Sequence, residues 1–202
     1  MQLYTKDLYP SREQRRNAVR FAKEVLILLE KNKIKATKGC YISLYSNNPP
    51  PKLKTFSLQK LLKSNNSTDL TCKVCAVGAL FLGKAAIENE VDIDISPFGL
   101  VTLKKDGPEV VRNTLGRLNS QIIEAAFECG DRFVSTYYFK NEIIIPGSYL
   151  QTKLKYLAKA ASKTYEYCKD LEERLAKICK NIIENKGIFL PVDYKLEVPV
   201  KN

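Results

Sequence analysis

From Leu70 to Ile87 the chain runs eighteen residues with only two charges, Lys73 and Lys84. A surface element keeps a polar face, so a segment without one must be enclosed by the rest of the molecule. The pattern predicts one continuous helix, apolar almost all round and buried. Gly and Ala at 76, 78, 79, 83, 85 and 86 strip bulk from it, which lets another backbone approach closely. Glycine inside a helix costs up to about 1 kcal/mol against alanine, so Gly78 is expected to answer a packing or ligand need. The longest uncharged apolar run, Val74 to Gly83, is about half a bilayer span. A buried element of this kind needs a core around it. The 202 residues suffice for one, since a chain of this size can bury roughly 70% of its unfolded surface. A single domain over residues 1–202 is expected, of the α+β class and mainly α-helical, with one or two small β-hairpins and a long C-terminal helix.

The flanking sequence supplies those elements. Pro10-Ser11 opens a helix, with Ser11 as cap and Gln14 completing a capping box. Ala18, Val19, Ala22, Val25, Leu26 and Leu29 then follow helical spacing. Lys38 to Tyr45 alternates like a short strand, and Asn47-Asn48-Pro49-Pro50-Pro51 ends it. Ser57 is expected to cap a short helix carrying Leu58, Leu61 and Leu62. Ile93 to Ile95 and Leu100 to Leu103 read as a hairpin, and 132–145 as a second. Helices are expected from Gly107 to about Leu118 and from Ser120 to Glu128. Ser148 with Gln151 is another capping box, opening the longest predicted helix, 148–185. Its apolar residues, from Leu150 through Leu157, Leu171 and Ile178 to Ile182, alternate three and four apart. That is a seam for a partner helix, inside the fold or in a second subunit. Residues 188–202 read as an extended tail.

Charge divides the chain. The net formal charge of +11 is distributed as +9 over residues 1–70, −2 over 71–150 and +4 over 151–202. Arg12, Arg15, Arg16, Arg20 and Lys23 crowd one N-terminal helix, largely opposite its apolar stripe. Like charges at i, i+4 oppose helix formation by a few tenths of a kcal/mol per pair. Guanidinium groups favour planar, bidentate partners such as phosphate. The alternatives are a solvated face and ion pairs with the acidic middle of the chain. Tyr41 and Tyr45, together with Tyr137 and Tyr138, are candidates to stack on bases.

There is no histidine, which removes Ser-His, Cys-His and His-metal chemistry. Cys72 and Cys75 have the spacing of a zinc half-site or a redox pair, but no second close pair completes it. The six cysteines are therefore expected to be reduced and mainly to pack as small hydrophobes. Glu88, Glu90, Asp92 and Asp94 lack the glycine and spacing of a calcium loop. A metal-dependent phosphodiesterase using Asp92, Asp94 and Glu128 is the catalytic alternative. No cofactor is expected. Without an apolar leader in residues 1–16 the expected location is cytoplasmic, with no membrane association.

Four stretches resemble a group of small uncharacterised proteins of bacteria and bacteriophages. They are the helix through Ala22 and Val25 into Lys35–Tyr41, Cys72–Leu82, Ile122–Glu128 and Arg174–Pro191. Relative to that group the chain carries an insertion over about 131–170. The resemblance implies a small, mostly helical phage-type accessory protein, with a counter-defence role as the analogy. The resulting expectation is a non-enzymatic binder of an anionic ligand, a nucleotide signal or a nucleic acid. A module that binds a host protein, or oligomerises through 148–185, is the alternative.

Overall fold

The computed structural model describes residues 10–39, 41–46, 56–57, 62, 70–88, 92–95, 101–103, 107–129 and 149–192. Helix α1, Arg12–Glu30, begins at the expected capping box: Gln14 N–H donates to Ser11 Oγ at 3.1 Å, and Ser11 N–H to Gln14 Oε1 at 2.8 Å. Gln14 also donates to the Asn113 carbonyl at 2.7 Å, tying the start of α1 to a later helix. Ala18, Phe21, Ala22, Val25 and Leu28 form the buried face. The helix ends with Asn32 in the left-handed region, its N–H on Leu29 O and that of Lys33 on Leu28 O. Those two bonds are a Schellman closure, which satisfies orphan carbonyls of the last turn.

A three-stranded sheet follows. Strands β1 (Ile34–Ala36) and β2 (Ile42–Ser46) flank β4 (Leu70–Val74), β1 parallel and β2 antiparallel to it. A second sheet is antiparallel, in the order β3 (Phe56–Ser57), β5 (Asp92–Ile95), β6 (Val101–Leu103). The expected hairpin of 93–103 is therefore present, with Ile93 opposite Leu103. Ser57 ends β3 and pairs with Asp92; Leu62 of the short helix expected after it is helical, and residues 58–61 lie outside the described residues. The expected hairpin of 132–145 lies outside the described residues.

The continuous helix expected from Leu70 is corrected at its first turn. Residues 70–74 are strand β4, and helix α2 spans Ala76–Ile87, with Cys75 as the N-cap between them. Cys72 and Val74 are buried while Thr71 and Lys73 are not, a period of two that belongs to a strand. An element apolar on all faces has no stripe whose phase could mark where it starts. The packing expectation for α2 holds. A Cβ at Gly78 would lie 1.8 Å from Tyr41 O, and one at Gly83 would lie 2.7 Å from Phe21 O. The glycines thus seat α2 directly on the backbones of the 41–42 segment and of α1.

Helix α3, Gly107–Leu115, stops three residues before the expected end because Gly116 turns the chain at φ 84°. Helix α4, Arg117–Glu128, follows at once. The expected long C-terminal helix is two helices. Helix α5, Tyr149–Thr164, and helix α6, Leu171–Glu184, are separated by a turn in which Cys168 N–H bonds Tyr165 O. Asp170 caps α6, accepting the Glu173 N–H at 2.8 Å. Leu157, Ala161, Leu175, Ile178 and Ile182 are all buried within this one chain. These five residues are therefore internal and do not present a face to a second subunit, whereas Leu171 is only partly buried and the side chains of Leu150 and Leu154 lie outside the described ones.

The segment read as a tail is also partly interior. Ile188 and Phe189 are buried, held by two asparagines that act like the edge of a strand. Asn119 donates to Gly187 O at 2.9 Å and accepts the Phe189 N–H at 3.0 Å. Asn181 donates to Leu190 O at 2.8 Å and accepts the Leu190 N–H at 2.9 Å. Among the described residues no helix is long and apolar enough to cross a membrane.

Candidate functional site

Opposite its buried face, α1 forms one wall of an open groove of about 850 Å³. Arg12, Glu13, Arg15, Arg16, Val19 and Arg20 contribute that wall, and Ile183 and Lys186 face them from the end of α6. Arg12, Arg16 and Arg20 are exposed on successive turns, and Arg15 is half-buried. Among the described residues, Arg12, Arg16 and Arg20 make no ion pair and no side-chain hydrogen bond. Among the described residues these three arginines thus have no partner in the acidic middle, much of which, including Glu90, Asp106, Asp131 and Glu142, lies outside them. Five cations and one carboxylate share the groove, over apolar contributions from Val19 and Ile183.

Why α6 reaches this place is legible in its terminus. Lys186 N–H bonds Ile183 O, and Gly187 N–H bonds Ile182 O at 2.7 Å, a Schellman closure. Glycine normally fills the left-handed position of that motif, but here it is Lys186, at φ 55°. Gly187, the next residue, has φ 96°, and a Cβ on it would lie 2.1 Å from Arg15 O. Asn119 holds Gly187 from the other side. The helix end therefore presses on the backbone of α1 at Arg15 and delivers Lys186 to the groove wall. A non-glycine residue in the left-handed region costs about 1–2 kcal/mol. Sequence reading placed Asn185-Lys186-Gly187 only as a helix stop and missed Lys186 as a groove residue. Nothing in the sequence marks it, because the adjacent Gly187 is the residue that a helix closure favours in the left-handed position.

The other expected ligand-binding residues go elsewhere. Lys23 is exposed on α1 but does not line the groove. Tyr41 packs on Phe81, with ring centroids 6.1 Å apart, and is not part of the groove. Tyr45 lies in β2 opposite Thr71, on another element. The structure thus gathers Arg12, Arg15, Arg16 and Arg20, and separates Lys23, Tyr41 and Tyr45 from them. Tyr137 and Tyr138 lie outside the described residues.

The thiols and carboxylates sit in different settings. Burial pushes the Cys72, Cys75 and Cys179 thiols up to about 12, so they remain protonated near neutrality. Cys75 Sγ accepts the Gly78 N–H at 3.5 Å as part of the α2 cap. Among the described residues no three His, Cys, Asp or Glu side chains come together to hold a metal ion. Glu128 accepts the Gly39 N–H at 3.2 Å, and Lys38 Nζ donates to the Glu128 carbonyl at 2.9 Å. Partial burial raises the Glu128 carboxyl above its ordinary value, opposed by the Gly39 bond. These contacts fasten the 38–39 turn to the end of α4. Comparison with protein-family models, curated proteins and solved structures gives no match to this chain.

Proposed function

We propose that the protein binds a phosphate-bearing anion in the groove between α1 and the end of α6. The observation that carries this reading is the cluster of Arg12, Arg16 and Arg20, exposed on successive turns and without an internal acidic partner among the described residues. Such a cluster is self-repelling, and an external anion relieves that repulsion. Arginine suits the role because its planar fork pairs with two oxygens of one phosphate. Lys186 supports it from the facing wall, held in a backbone conformation that glycine would occupy at lower cost. In this reading the protein is a binder, not a catalyst, and a phage-type accessory role in counter-defence is the analogy that the resemblance adds.

The test is charge reversal. Inorganic tripolyphosphate, ATP and a 20-nucleotide single strand are titrated into the protein by calorimetry at low salt. At least one binds the native chain, and the Arg16→Glu/Arg20→Glu variant loses that binding. If the variant binds every anion as the native chain does, the groove is not the site.

A further inference from the structure

Taking the groove as the anion site, we infer that its ligand is a compact nucleoside polyphosphate, not the backbone of a nucleic acid. The cationic row is short and closed. Arg12, Arg16 and Arg20 stand four residues apart, and the next position in that row is Glu24, a carboxylate. The row thus covers two turns of α1, about 12 Å along the axis at 1.5 Å per residue. A duplex strand advances 3.4 Å per nucleotide, so the row would follow about three or four of them. Even a single DNA-binding module covers roughly 600–1,000 Å². Glu13 stands in the groove itself at the other end of the row. Charge therefore focuses on one spot, where a chain of linked phosphoryl groups can meet several guanidinium groups at once.

The groove also contains something that bare phosphate does not use. Val19 and Ile183, one from each wall, give the charged site an apolar surface. An aromatic base or a sugar face buries against such carbon, while its phosphates pair with the arginines. At about 850 Å³ the groove lies within the roughly 300–1,000 Å³ of small-ligand sites. Lys186, just beyond the end of α6, lines the same groove and adds a fifth cation for the phosphate chain.

The experiment compares three probes on the full chain: ATP, inorganic tripolyphosphate and a 20-nucleotide single strand, each titrated at several salt concentrations. ATP is expected to bind at least tenfold more tightly than tripolyphosphate, and the strand no more tightly than ATP. The Val19→Ala/Ile183→Ala variant should lose at least fivefold in ATP affinity while holding tripolyphosphate unchanged. The Arg16→Glu/Arg20→Glu variant should lose both. Equal affinity for ATP and tripolyphosphate would overturn the nucleotide inference. So would a strand that binds more tightly than ATP with a steeper salt dependence. In either of those cases, loss of binding on charge reversal still leaves the groove as an anion site. If none of the three probes binds, both readings fall together.

Discussion

Lys186 is where stability and binding oppose one another most directly. Its left-handed backbone carries a cost that glycine would not, and its side chain faces four arginines across the groove. Lys186→Gly is expected to raise the unfolding free energy by about 1 kcal/mol in urea titration while weakening anion affinity. Gly187 beside it has no such latitude, since any Cβ there would overlap the Arg15 carbonyl. The buried thiols make a separate prediction. Burial favours the neutral Cys72, Cys75 and Cys179, whose pKa moves from 9.0 to about 12, so the folded chain holds these protons more tightly than the unfolded one. That stabilisation is complete below pH 9 and is lost as pH rises toward 12, at up to about 1.4 kcal/mol per pH unit for each thiol. Denaturant midpoints measured across that window should fall, and alkylation of these three cysteines should require unfolding. Sequence reading anticipated packing for the cysteines. It could not anticipate Lys186, because backbone conformation at a single residue has no pattern of its own.

At the scale of elements, Arg174 joins three pieces of the fold. The residue is 3% exposed; Nε donates to Cys168 O at 3.0 Å and Nη1 to Phe127 O at 2.9 Å. Nη2 also donates to Cys168 O. One side chain therefore satisfies the end of α4 and the turn between α5 and α6, from its own place on α6. Arg174→Met leaves both carbonyls without that donor and is expected to destabilise by about 1–3 kcal/mol for each. The same turn explains why the predicted 148–185 helix divides. Asp170 and Glu173 have a helix-cap spacing, but the apolar three-four alternation continues across the break and hides it. Only packing shows that the residues on either side belong to one core. Leu157→Asp should consequently unfold the chain, read as loss of helical circular dichroism. A folded protein that merely dissociated into smaller species in light scattering would place the seam between subunits instead.

Across the whole molecule, charge and core are kept on opposite sides of the same helix. α1 turns Phe21, Val25 and Leu28 into the interior and Arg12, Arg16 and Arg20 outward. Arg16→Glu/Arg20→Glu removes two units of charge at each site, taking the net from +11 to +7. Because neither arginine has an internal partner among the described residues, the unfolding midpoint should stay within error or rise slightly, even as binding is lost. By itself the sequence determined what depends on composition and short-range period: a mainly helical α+β fold, a buried 70–87 segment, the first capping box, the 93–103 hairpin and a basic face on α1. Tertiary structure alone decided that β4 ends at Val74, that 148–185 breaks at Tyr165–Asp170, and that Tyr41 leaves the arginines for Phe81. It alone also brought Lys186 to the groove that Arg16 lines. The physical reason is the same in each case. Periodicity reports which residues seek the core, whereas partners distant in sequence, such as Arg15 and Gly187, become neighbours only through the packing of whole elements.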